Sequence, residues 1–66
     1  MAQIRAEICQ VVGREREVNA YRISQQLKHN IRTVYDQCHV LVGEGKLVAR
    51  PAGRSVFYHL PREGEQ

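Results

Sequence analysis

Up to Gly45 the apolar positions of this chain keep a helical period, and beyond it they alternate. Ile4, Ile8, Val11 and Val12 stand at i, i+4, i+7 and i+8, which lines one face of a helix over residues 2–12. Cys9 lies on the flank of that face, and Gly13 is placed to end the helix. Arg14-Glu15-Arg16-Glu17 alternates in sign and reads as a solvated connection. Val18 fits a very short strand, and Asn19 is a suitable N-cap for a second helix. In that helix Ala20, Ile23 and Leu27 share one side, while Arg22, Gln25 and Gln26 face the other.

Lys28-His29 is a tight passage into Asn30-Gly45, NIRTVYDQCHVLVGEG. Asn30 caps this third helix, its side-chain oxygen positioned to accept the free N–H of Thr33. Val34, Cys38, Leu41 and Val42 again recur at i, i+4, i+7 and i+8. Arg32, Thr33, Asp36 and His39 turn away from them, with Tyr35 and Gln37 on the flanks. Gly45 can adopt the left-handed conformation that closes the helix at about residue 44. A dry back and a front of short polar and arginine side chains suit a helix that rests on a core and reads something outside. Two short helices joined by so few residues cross steeply, as in a helix-turn-helix.

After Gly45, Leu47 and Ala49 alternate with Lys46, Val48 and Arg50. Val56, Tyr58 and Leu60 alternate with Ser55, Phe57 and His59. Pro51-Ala52-Gly53-Arg54 between the runs predicts a β-hairpin over 46–60 with a loop of about four residues. Pro61 ends the second strand, and residues 62–66 form a polar tail expected to fray. The expected core holds Ile4, Ile8, Val11, Ile23, Leu27, Val34, Cys38, Leu41, Leu47 and Tyr58.

The order of helix, short strand, helix, turn, helix and hairpin resembles the winged helix-turn-helix domains of bacterial and archaeal regulators, such as the MarR and ArsR types. The resemblance covers residues 4–60. It rests on YRISQQL, on NIRTVYDQCHVLVGEG and on KLVAR…SVFYHL, with Thr33-Val34-Tyr35, Leu41 and Gly45-Lys46-Leu47-Val48 close to the usual pattern. It implies an α+β, mainly α, domain of three helices with a C-terminal β-hairpin wing. It also implies double-stranded DNA as the partner, with the third helix in the major groove and the wing on the backbone. Asn30, Arg32, Thr33 and Asp36 would face base edges, flanked by Tyr35 and Gln37. Arg50 and Arg54 of the wing would meet phosphate or the minor groove, and Lys28 and Arg22 complete the expected DNA-binding set. The chain departs from the pattern at Lys28, where many relatives have glycine, and at His29, where they have an apolar residue. It also lacks the metal-ligand cluster of ArsR-type sensors and the wing tryptophan of Z-DNA readers.

Charge agrees with a polyanionic partner. Among 66 residues the net charge is +3. Residues 1–17 are balanced, whereas residues 18–62 carry seven Lys and Arg against Asp36 and Glu44. Glu63 and Glu65 then subtract two, and a basic middle between a neutral start and an acidic tail is the expected footprint of a nucleic-acid binder.

Other chemistries find little support. Cys9, Cys38, His29, His39 and His59 match no zinc-finger or ribbon spacing. Ser24 and Ser55 lack glycine-rich elbows, and carboxylates near the histidines are sparse, so no catalytic role, metal, cofactor or small-molecule effector is expected. The opening residues, broken by Arg5 and Glu7, lack the continuous apolar run of a signal peptide, and no stretch is long enough to span a membrane. Two distant cysteines on apolar helical faces point to free thiols and a cytoplasmic protein. One alternative stays open. Winged helices also serve as protein-interaction modules, and Tyr21, Val40, Val42 and Phe57 would then form the contact surface. A homodimer joined through the first helix, helped by Phe57, is expected for so small a unit.

Overall fold

The structure, a computed structural model, describes residues 2–62. Its elements run α1 (Ala2–Glu15), β1 (Val18–Asn19), α2 (Ala20–Leu27), α3 (Ile31–Gly43), β2 (Val48–Ala52) and β3 (Ser55–His59). The three strands form one antiparallel sheet in the order β1-β3-β2. Three helices with a three-stranded sheet make this a winged-helix fold, α+β and mainly α.

The expected core forms almost as the period predicts. Ile4, Ile8, Val11 and Val12 of α1 meet Ile23 of α2, Val34, Cys38 and Leu41 of α3, and Val18, Leu47 and Tyr58. Leu27 differs. It is only half-buried, packed against the edge of the core at the last residue of α2. Two polar side chains join the interior. Ser24 Oγ donates to the Tyr21 carbonyl at 2.6 Å, so its hydroxyl is satisfied within its own helix. His59 Nδ1 bonds the Leu60 carbonyl at 2.9 Å; a carbonyl only accepts, so Nδ1 carries the proton.

Three boundaries differ from the sequence expectation, each for a local reason. First, α1 does not stop at Gly13 but continues to Glu15. Gly13 instead gives Leu60 room: a Cβ there would lie 3.3 Å from Leu60 Cδ1. The left-handed position falls on Arg16 (φ 73°), whose N–H donates to the Val12 carbonyl at 2.8 Å.

Second, the wing turn is two residues long. Ala52 pairs with Ser55, and Pro51 with Val56, which leaves only Gly53-Arg54 to reverse the chain. Gly53 is positive in φ (61°) and Arg54 is not, the sign pattern of a type II′ turn, whose twist suits a hairpin. Pro51 fits because β2 is an edge strand, where a missing N–H can face solvent.

Third, β3 ends at His59, so the alternation breaks before Leu60. Leu60 is 40% exposed and His59 is buried, the reverse of the period-two expectation. Leu47, in turn, lies before β2 rather than in it, tied by its N–H to the Leu41 carbonyl at 3.3 Å. Gly45 closes α3 as expected, with φ 77°. Of the tail, Arg62 is exposed and outside regular structure, and residues 63–66 lie outside the described residues.

Candidate nucleic-acid interface

The start of α3 is set by Asn30. Its Oδ1 accepts the Arg32 N–H at 2.8 Å, while its carbonyl accepts the Val34 N–H at 3.1 Å. The cap bond therefore reaches the amide two residues on, not that of Thr33. The preceding turn is held by Lys28 in the left-handed region (φ 57°, ψ 38°), with the Lys28 and His29 N–H groups both donating to the Ser24 carbonyl. A lysine there costs about 1–2 kcal/mol relative to a right-handed residue, yet it leaves an ammonium at the junction of α2 and α3.

The expected reading residues divide between two sides of α3. Arg32, Tyr35 and Asp36 are exposed, with His39 one turn on. Arg32 Nε lies 3.7 Å from Asp36 Oδ1, and the Arg32 side chain is 84% exposed. The carboxylate on this face thus has a cation one turn away, which lowers its repulsion of phosphate. The Tyr35 and His39 rings stand 5.2 Å apart, tilted by 33°. Thr33 and Gln37 turn toward α1 instead. Thr33 is half-buried beside Ile4, Glu7 and His29, and Gln37 Oε1 accepts from Arg5 Nη1 at 3.2 Å. Their places follow from the 100° step of the helix, which puts them on the flank that α1 covers.

On the wing, Arg54 sits at the tip after Gly53. Arg50 is engaged by Glu17, with Nε to Oε2 at 2.6 Å and Nη2 to Oε1 at 2.8 Å. Its guanidinium also lies 5.6 Å from the Phe57 ring centroid. The hydrogen bonds from Arg50 hold the Glu17 carboxyl below its ordinary value and raise Arg50 further. Arg22 is turned to the seam with α1, where its Nε stands 3.5 Å from Glu15. Arg14 to Gln26 at 2.6 Å and Gln26 to Glu15 at 3.2 Å complete that seam. Lys28 and Arg54 have no ion pair among the described residues.

The wing tip and α3 share one groove of about 330 Å³. Tyr21, Ile31, Tyr35 and Arg54 line it, with Val56 and Tyr58 beneath. Burial first, then proximity to Cys38 and Tyr35, pushes the Tyr58 phenol up to about 12. Ile31 was not legible as a surface residue. It stands three before Val34 and seven before Cys38, which the period assigns to the core, yet it is 47% exposed. The available signal was its position directly after the cap, at the end of α3 that overhangs the core. Among the described residues no group of three or more His, Cys, Asp or Glu could hold a metal ion, and no helix is long and apolar enough to cross a membrane.

A cap-started third helix, a left-handed junction and a two-residue wing turn together define a winged helix. Among solved structures the chain is similar to reduced HlyU from Vibrio cholerae N16961, with a TM-score of 0.80 at 20% identity. The likeness covers 92% of this chain, which spans 63% of the length of that one. No family model and no curated protein sequence matches the chain.

Proposed function

We propose that this protein binds double-stranded DNA sequence-specifically, as a small cytoplasmic transcription regulator that lays α3 in the major groove and its wing along the backbone. The observation that carries this reading is the shared groove of Arg54 at the wing tip with Ile31 and Tyr35 of α3. Helix and wing thus address one side of the molecule, with the cations of Lys28 and Arg54 available to phosphate. HlyU, a winged-helix regulator of the SmtB/ArsR family, supports the same reading through its fold. Arg32 and Asp36 are the base-edge readers, Lys28 and Arg54 the phosphate contacts, and Arg50 joins them once Glu17 lets go. Two copies, joined through α1, place their α3 helices on half-sites about one helical turn, or 34–36 Å, apart.

A second reading has its own observation. Tyr21, Ile31, Tyr35 and Val40 are all large, apolar and exposed, the composition of a protein-contact surface. Titration of random duplex DNA at low and rising salt separates the two. DNA binding that weakens linearly in log salt is the expected result. Absence of binding at the lowest salt would leave the protein-contact reading.

A further inference from the structure

We propose that the groove between α3 and the wing tip recognises thymine through its 5-methyl group, with Ile31 and Tyr35 as the specificity-determining residues; this rests on the DNA-binding reading above. The groove combines two properties that narrow its occupant. Its walls are mostly apolar, formed by the exposed Ile31, Tyr35 and Tyr21 with Ala20 and Val56, and Asn19 and Ser55 are the polar exceptions. Its lip carries Arg54, a cation without an ion pair among the described residues, and Lys28 stands unpaired at the foot of α3. The complementary ligand is anionic outside and apolar inside.

Duplex DNA seen through its major groove has that character. Phosphates flank the groove, and among base edges the apolar feature is the C5-methyl of thymine. The first turn of a recognition helix is the part that meets base edges, and Ile31 is the first residue of α3. The tyrosines contribute ring surface to this wall. Tyr21 Oη already accepts from Gln25 Nε2 at 2.9 Å, and the Tyr35 ring rests beside His39 at 5.2 Å. Each ring thus has one side-chain neighbour before a ligand arrives, which lessens the ordering cost of binding. Arg32 and Asp36, an exposed pair at 3.7 Å on the polar side of the same turns, stand next to the methyl-reading residues where donors and acceptors would be met.

The test uses random-sequence duplex pools made with thymine or with uracil, which differ only in that methyl group. Wild-type protein is expected to bind the thymine pool more tightly, by about fourfold per methyl contacted, the effect of withdrawing one methyl-sized apolar group from water. Ile31→Ala should narrow the ratio of thymine-pool to uracil-pool affinity and Ile31→Ala combined with Tyr35→Ala should bring it to one, whatever affinity the variants lose on both pools in common. Equal wild-type binding to both pools overturns the inference while leaving DNA binding intact, and so does a preference that survives in the double variant. Failure to bind either pool at low salt overturns the DNA-binding reading itself, the result expected if the groove holds an apolar peptide.

Discussion

Arg50 and Glu17 stand 33 residues apart in sequence, yet they share a two-pronged ion pair at 2.6 and 2.8 Å. The pair fastens the middle of the wing to the connection between α1 and β1. It also withholds one wing cation from any anionic partner. The carboxylate of Glu17, in the alternating ArgGluArgGlu segment read as solvated, is instead the partner of a wing cation.

Glu17→Gln should free that cation. Binding to duplex DNA is expected to tighten on all sequences alike, and the slope of log affinity against log salt should steepen by about one. The pair has a pH signature as well. Because Arg50 depresses the folded-state pKa of Glu17, the contribution to stability is present above the ordinary glutamate value and is lost as pH falls through the depressed one. An NMR titration should find Glu17 below the ordinary value in wild type and back near it in Arg50→Gln.

Leu41 is fully enclosed between α1, α3 and the start of the wing. Leu41→Ala removes buried methyl groups and leaves a cavity, so a loss of about 2–5 kcal/mol is expected in denaturant titration. A chain of this size has little stability in reserve, and the variant should be largely unfolded near 37 °C. Melting like the parent would mean that the α3 register described above is wrong.

Much of this architecture was legible in the sequence because it depends on short-range rules. Asn19 and Asn30 start α2 and α3 as cap chemistry predicts, and the i, i+4, i+7 sets name the core. What was not legible depends on tertiary contact. Gly13 looks like a helix stop but lies in the last turn of α1, where the absence of a Cβ leaves room for Leu60. β3 stays paired through His59 with Val48 and has no partner beyond it, so Leu60 leaves the alternation while His59 is buried. For the site, the exposed row of Arg32, Tyr35 and Asp36 follows from the period. The inward turn of Thr33 and Gln37, and the engagement of Arg50 by Glu17, require knowing where α1 lies.

Lys28 links stability to binding. Lys28→Gly relieves a left-handed lysine and should raise stability by up to about 1 kcal/mol, partly offset by the freer unfolded chain. If Lys28 meets phosphate as proposed, the same change should lower DNA affinity and lessen the salt slope by about one. Thermal melts and binding titrations on the same samples should therefore move in opposite directions. Equal binding by the two proteins would remove Lys28 from the interface.

The two thiols should also separate. Burial, with a smaller effect from Cys9, pushes Cys38 up to about 12, and burial raises the half-buried Cys9 as well. Near pH 8.5, an ordinary cysteine value, a thiol reagent should modify Cys9 slowly and Cys38 only on unfolding. Mass spectrometry of partly labelled protein checks the order, and early labelling of Cys38 would contradict the packing of α3.

Paired titration of Arg32→Ala and Arg54→Ala tests most directly whether α3 reads bases while the wing holds the backbone. Each variant is measured on a duplex selected for tight binding and on its scrambled counterpart across a salt series. Arg32→Ala should lose about 1–3 kcal/mol on the selected duplex and little on the scrambled one. Arg54→Ala should weaken both alike and reduce the salt slope by about one. Equal, sequence-blind losses from the two variants would contradict base reading by α3, and no loss from either would contradict DNA binding by this face.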